Sequence, residues 1–266
     1  MTCASKQDQH FIQHPKWSFL TLRSTYGSSM PYKTHQHHTV SLGVILEGIT
    51  CSQIDGVDYE LSVGDMVLIP AYRAHSCNPM AGTKRSYHML YMDAMWCTNV
   101  FDGMSSNMCF DTSDPVIRDA ASYPAIKAWL DQFSAMNTNG LAMLQQLLKE
   151  HGTLKPKDRP DECYAAPEQV FMESEKNIAQ LAHENGLSRE GYIRAIKRKT
   201  GLSPLALRHN ERIEQAKVLI AQGKPLVEVA LAVGYQDQSQ FHKHFVHYSA
   251  ATPKQYQNAI LALSSH

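Results

Sequence analysis

No apolar run in the chain approaches the roughly 18 residues that a membrane span requires. Residues 1–14 hold neither the basic stretch nor the apolar stretch of a secretion signal. We therefore expect a cytoplasmic protein with no membrane partner. Charge of one sign is also lacking, since Lys and Arg number 25 and Asp and Glu number 25, so no global basic excess advertises a nucleic-acid binder. The six cysteines (Cys3, Cys51, Cys77, Cys97, Cys109, Cys163) include no C-x-x-C pair and are expected to be reduced thiols, not a disulfide framework. What is present is a hydrophobic fraction of 43% against 19% charged residues over 266 positions. That is the composition of a soluble chain with a real core, long enough for one large domain or two ordinary ones. The charge balance also hides an asymmetry. From Ala165 onward there are 12 basic and 9 acidic residues, leaving 13 and 16 before it, so a mildly basic part follows a mildly acidic one.

Residues 17 to about 93 are punctuated as β structure. Val40–Leu46 ends at Glu47-Gly48. Ile49–Ile54 and Val57–Leu61 flank Asp55-Gly56, the dipeptide that best supports a type I′ hairpin turn. Val63-Gly64-Asp65 makes another turn, Met66–Ile69 is a short strand stopped by Pro70, and Arg85–Asp93 offers a further strand. Short strands joined by tight turns predict an antiparallel barrel or sandwich.

From about Asp114 the period changes. Ile126, Trp129, Leu130 and Phe133 form a helical stripe behind Pro124, and Leu141, Leu144, Leu147 and Leu148 form a second one after Gly140. These leucines need a partner, either their own β domain or a second copy of the chain. Residues 152–167 hold three prolines and six charges without periodicity and read as a linker. The expected organisation is α+β and multidomain. A β domain (1–113) precedes a dimerising helical hairpin (114–151), the linker (152–167) and an all-α domain (168–266).

The all-α part contains a repeat. Ile178, Leu181, Ala182 and Gly186 are echoed by Leu226, Val229, Ala230 and Gly234. Each copy is a short helix whose alanine permits close crossing, ended by a glycine suited to a left-handed turn. A second helix follows each turn, with Tyr192 and Ile196 buried in one and Phe241 and Phe245 in the other. The result is two helix-turn-helix units, at about 178–200 and 226–248, each followed by a hydroxyl N-cap and proline (Ser203-Pro204, Thr252-Pro253). A long helix from Pro204 to Ala221, with Leu207, Ile213, Ala216, Val218, Leu219 and Ile220 available for packing, separates them. It can hold two recognition helices about one DNA turn apart. The outward face of the first second-helix presents Arg189, Glu190, Ile193, Arg194 and Lys197, followed by Arg198 and Lys199. The other presents Gln238, Ser239, Gln240, His242 and Lys243. These are the side-chain types that read base edges and phosphates. The plainer alternative is two helical hairpins with solvated polar faces.

The stretch Val227–Tyr256, V-x-V-A-x-x-x-G-Y-x-D-x-S-x-F-x-K-x-F followed by T-P-x-x-Y, resembles the DNA-binding domain of the AraC family of bacterial transcription regulators. L-A-x-x-x-G-L-S and Arg194-x-x-Lys197 in the first copy fit as well, and Arg212 and Ala216 suit the family's linker helix. Lys243 stands where the family has arginine, and Ala250 where it has glycine. The resemblance implies base contacts from Glu190, Ile193 and Arg194 in the first helix and from Gln238, Gln240, His242 and Lys243 in the second.

The β domain looks like the cupin-type effector domain that many AraC-family members carry, through His35-x-His37, Gly48, Gly64-x5-Pro70 and His75. In a metal cupin such histidines join a carboxylate around one ion. Here the carboxylate position is Ser41, so no cofactor is expected. If a divalent metal does bind, His35, His37 and His75 are its ligands. Otherwise they line an effector pocket with Tyr72, Arg73 and Tyr87, to which His88 can be added, or are satisfied turn residues. His38 is expected on the opposite, solvated face. The leading expectation is a non-enzymatic, ligand-responsive regulator. Its partners are promoter DNA, an unknown small-molecule effector, a second copy of itself and RNA polymerase. The alternatives are a metal-dependent cupin enzyme with an appended helical domain, and an architectural DNA-binding protein whose β domain only dimerises.

Overall fold

The computed structural model describes residues 8–101, 107–134, 139–156 and 177–263. Its β domain is built from β1 (Asp8–Gln13), β2 (Leu20–Ser28), β3 (Val40–Glu47), β4 (Thr50–Ile54), β5 (Val57–Leu61), β6 (Met66–Ile69), β7 (His75–Pro79), β8 (Arg85–Met92), β9 (Met108–Asp111), β10 (Val116–Ile117) and β11 (Thr153–Pro156). Every pairing is antiparallel. The sheets run β1-β2-β8-β3-β6-β10, β5-β4-β7 and β11-β9. They face one another without closing into one continuous ladder, and an isolated bridge joins His35 to His75. The Asp55-Gly56 turn has positive φ at both positions, +49° and +83°, as a type I′ hairpin demands.

Strand alternation divides the six-stranded sheet cleanly. Leu20, Leu22, Leu42, Val44, Leu68, Leu90 and Met92 point to one face. There they meet α1 (Ala94–Asn99), α2 (Ser122–Asp131) and α3 (Asn139–His151). Ile45, Val67, Ile69 and Tyr87 point to the other face, toward Ile54, Leu61 and Cys77 of the small sheet. The stripes of α2 and α3 are therefore used within the chain. Ile126, Trp129, Leu130, Phe133, Leu144, Leu147 and Leu148 all belong to the β domain's own core, the first of the two partners expected for these stripes. Gly140 lets the two helices cross closely, since a Cβ there would lie 2.0 Å from the Trp129 indole nitrogen.

Two boundaries differ from expectation. Residues 153–156, read as linker, pair with β9, and residues 116–117, read as leading into the helices, join β6. The rest of the linker, 157–167, lies outside the described residues. Of the described cysteines, Cys51, Cys77 and Cys97 are free, whereas Cys109 is disulfide-bonded, against the expectation of reduced thiols throughout. Cysteine spacing alone carries no connectivity.

The C-terminal domain consists of α4 (Ile178–Glu184), α5 (Arg189–Thr200), α6 (Pro204–Ala221), α7 (Leu226–Ala232), α8 (Gln238–Ser249) and α9 (Pro253–Leu263). The repeat seen in sequence is repeated in hydrogen bonds. Leu187 N–H donates to the Ala182 carbonyl and Tyr235 N–H to the Ala230 carbonyl, both at 2.9 Å. Between them, Gly186 and Gly234 take φ of +67° and +82°, so both copies turn by the same left-handed glycine closure. The copies are not equally packed. α6 buries Ile213, Ala216 and Ile220 against Val229, Phe241 and Phe245 of the second copy, whereas the first rests on Leu181, Ala182 and Tyr192 with smaller support. Val218, counted among the packing residues, is 58% exposed.

The two domains touch along α6, α8 and α9. Phe11 of β1 meets Tyr256 edge-on at 5.3 Å, and Lys33 N–H donates to the His247 carbonyl at 2.9 Å. Ala74, next to His75, packs with Leu202 and Leu207 at the start of α6.

Candidate functional site

The first candidate surface is formed by α5 and α8. Ser188 caps α5 by accepting from Gly191 N–H at 3.0 Å, and Asp237 caps α8 by accepting from Gln240 N–H at 2.7 Å. Tyr192 is the only fully buried residue of α5, so Arg189, Glu190, Arg194 and Lys197 lie exposed, with Ile193 half-buried beside them. On α8, Phe241, Phe245 and Tyr248 face inward while Gln238, Ser239, Gln240, His242 and Lys243 are exposed. Gln240 is partly committed, because its Oε1 accepts from Gln236 N–H at 3.2 Å, which leaves its amide N–H groups for a base edge. Lys199, grouped in sequence with Arg198, turns instead into a cleft beside Arg73 and Lys155. The two faces can donate to guanine and phosphate through Arg194, Lys197 and Lys243 and bond adenine through glutamine.

The second candidate site is a cavity between the sheets. An inner chamber of about 30 Å³ is lined by Tyr32, His35, His37, His75, Tyr87 and Tyr91 among others. An outer cleft of about 190 Å³ shares Tyr32, His35, His37 and Tyr91 with it and reaches Lys217 and Glu214 of α6. His35 is half-buried, His37 and His75 are buried, and one ring nitrogen of each lies within 4.8 Å of the others. Each Nδ1 bonds a nearby backbone carbonyl: His35 to Lys33 at 2.9 Å, His37 to Thr39 and His75 to Arg73, both at 2.8 Å. Nδ1 must then carry the proton, and Nε2 is the lone-pair nitrogen left for the cavity. Burial holds the His35 and His37 imidazoles well below the ordinary histidine range, helped by repulsion from His75, and holds His75 down to about 4. Three neutral donors fixed from behind by carbonyls fit a divalent ion of the zinc class. Ser41, at the cupin carboxylate position, is buried with its Oγ unpartnered.

Several residues grouped with this pocket in sequence lie elsewhere. Arg73 pairs with Asp55 at 3.1 Å and with Asp111, and lines the separate cleft with Tyr72. Tyr72 sits at a positive φ of +62°, which takes it off the strand alternation. His88 faces the helices, bonding Ser24 at 2.8 Å and Asp131 at 3.0 Å. His38 is not simply solvated, since it stacks on Tyr72 and bonds Glu211 of α6 at 3.3 Å, and that bond raises its pKa.

Sequence reading missed two arginines. Arg23 of β2 and Arg85 of β8 are buried beside Tyr32 and Tyr87, whose hydroxyls bond one another. Burial pushes the Tyr87 hydroxyl up, but the two guanidiniums together with hydrogen bonds to Thr25 and Tyr32 outweigh it and bring the group below the ordinary phenol range. An arginine within alternating strand residues was the available signal.

Residues 22–151 match the family model described as AraC-like ligand binding domain, and residues 181–259 match one described as helix-turn-helix domain. An HTH-type transcriptional regulator of Haemophilus influenzae is 34% identical over 85 residues, which is 32% of this chain and 28% of that protein. This match therefore spans less than a third of that relative's length. The HTH-type transcriptional regulator YbfI of Bacillus subtilis is 22% identical over 235 residues, 80% of this chain and 82% of that one. Among solved structures, an apo variant of ToxT from Vibrio cholerae superimposes with a TM-score of 0.60 at 11% identity, covering 91% of this chain and 98% of that chain. That likeness is one of fold.

Proposed function

The chain belongs to the AraC family of helix-turn-helix regulators, and from that premise we propose that it is a sequence-specific DNA-binding transcription regulator whose operator affinity depends on a small molecule held in the β-domain cavity. One observation carries the reading. Two matched helix-turn-helix units share one chain with an aromatic, histidine-lined cavity, and the helix between those units forms part of the cavity's outer wall. Base reading is assigned to Arg189, Glu190, Ile193, Arg194 and Lys197 of α5 and to Gln238, Ser239, Gln240, His242 and Lys243 of α8. The effector is assigned to the chamber of His35, His37, His75 and Tyr87. Tyr72 and Arg73 are left to the neighbouring cleft. A ligand in this position changes the relative stability of two arrangements of β domain and α6, which is how it acts on DNA binding.

The reading assigns no catalysis, and it places the protein in the cytoplasm. No described helix is long and apolar enough to cross a membrane. RNA polymerase and a second copy of the chain are its further partners. A homodimer formed through α2 and α3 would use their polar outer face, because their apolar stripes are buried. Sedimentation of the purified chain tests this.

The functional test is operator affinity of the full chain with and without a compound that raises its melting temperature. The compound should change affinity in the parent and not in His75→Ala, whose ligand-free affinity should stay near the parent value. Loss of ligand-free binding in that variant would show that His75 holds the fold and would remove the pocket assignment. A second reading is favoured by the three Nδ1–carbonyl bonds: a divalent ion on His35, His37 and His75, as cofactor of a cupin-type enzyme or as the effector itself. A stoichiometric ion surviving dialysis would select it.

A further inference from the structure

Arg23 and Arg85 are 3% and 2% exposed, and among the described residues neither guanidinium has a carboxylate partner. Arg23 donates from Nε to Thr25 Oγ1 at 3.3 Å, and Arg85 donates to Thr50 Oγ1 at 3.3 Å and to the Cys77 carbonyl. Arg23 also hydrogen-bonds the Tyr91 side chain, and the rest of their company is aromatic rings. Arg23 lies 5.4 Å from the Tyr32 ring and 6.0 Å from Tyr87, and Arg85 lies 5.6 Å and 4.8 Å from the same two rings. Ring faces attract a cation but do not neutralise it. Arg23 Nη2 and Arg85 Nε are buried with no hydrogen-bond acceptor at all. Two like charges sharing the same pair of tyrosines, each with an idle donor, form an arrangement that is costly unless an anion completes it.

The space is arranged for one. Arg85 lines the inner chamber, Arg23 lines the outer cleft, and Tyr32, His35, His37 and Tyr91 line both, so the two spaces adjoin at these rings with one arginine on either side. At about 30 Å³ the chamber has room for about two water molecules, the size of a two-oxygen head. The cleft, at about 190 Å³, has room for an organic body and ends on α6, where Lys217 is already bonded to Glu214 at 2.6 Å.

We propose that the effector is an organic carboxylate whose head sits between Arg23 and Arg85 and whose body fills the cleft toward α6. This rests on the regulatory reading above and names its ligand class. The planar guanidinium forks offer the bidentate geometry that a carboxylate takes, and the tyrosine hydroxyls supply further donors.

The test uses the full chain, with sodium hexanoate and sodium benzoate as probes, hexanamide and benzamide as neutral counterparts, inorganic phosphate as a third arm, and sodium chloride matching ionic strength. At least one carboxylate should raise the melting temperature saturably while its amide does not. Arg85→Met should weaken that response roughly 10- to 100-fold. In the absence of ligand, Arg85→Met should melt at or above the parent temperature, because the substitution removes an unpaired buried charge. A structural arginine held by its tyrosines would instead leave the ligand-free variant less stable, and that result overturns the proposal. If Arg85→Met does not fold, Arg23→Met carries the same comparison. Equal response to acid and amide, silence from both carboxylates, or response to phosphate alone also overturns it. Carboxylate binding without any change in operator affinity would remove the regulatory reading and leave the anion site. An effector that alters operator affinity in the parent and in Arg85→Met alike would do the reverse.

Discussion

The backbone N–H of Gln36 donates to Oδ1 of Asn210 at 3.1 Å, across 174 positions of sequence. Gln36 lies between the two cavity histidines His35 and His37, and Asn210 is buried on α6, the helix between the two DNA-reading units. This bond ties the cavity wall directly to the DNA-binding domain. Removing its acceptor strands a buried donor, which costs about 1–3 kcal/mol. We expect Asn210→Ala to lower stability by that amount and to reduce the effect of a bound ligand on operator affinity. Titrating operator with and without ligand checks it, and an undiminished ligand effect would exclude this bond from the coupling.

The C-caps of α5 and α8 make a matched pair. Gly201 takes φ +73°, and Ala250, where the family pattern has glycine, takes φ +45°. An alanine in the left-handed region is strained by about 1–2 kcal/mol. Ala250→Gly should therefore raise stability by about 1 kcal/mol, less the added chain entropy of glycine. Gly201→Ala should be destabilising, since its Cβ would also meet the Ala74 Cβ at 2.5 Å. Urea midpoints of the two variants test the pair, and shifts of the same sign would contradict it.

The cavity histidines make stability depend on pH in a stated direction. Unfolded imidazoles take up protons near 6.5, whereas folded His75 does so only near 4. Between these values the unfolded chain binds more protons, so stability falls as pH decreases through that window and His75 contributes no slope above it. His35 and His37 act in the same direction. His75→Gln should flatten the slope by about 1.2 kcal/mol per pH unit between pH 6 and 5. Urea titrations at pH 7.5, 6 and 5 measure this, and an unchanged slope would show that His75 is not the buried neutral group described.

Much of the DNA-binding domain was legible because its signals are local. The A-x3-G turns, the capping serine and the Ser203-Pro204 start each lie within a few residues of the bond they make. His35, His37 and His75 were legible as a motif. Arg23 and Arg85 were not, because their shared environment depends on β2 lying beside β8, some sixty positions away, and on alternation placing both side chains inward. Arg73 was misplaced because the face a side chain takes depends on local turns such as the positive φ at Tyr72, whereas His88, next to Tyr87 on β8, takes the opposite face by strand alternation. The stripes of α2 and α3 stated that those helices bury a face but not against what. Pairing choice is a tertiary property.

The most direct test of the account is selection of bound duplexes from a random pool by the full chain. The account predicts enrichment of two half-sites with centres about 10–11 base pairs apart, read by α5 and α8. Arg194→Ala should erase preference in one half-site and Lys243→Ala in the other, each weakening specific binding by about 1–3 kcal/mol. A pool that stays random, or variants that lose selected and random DNA equally, would contradict it.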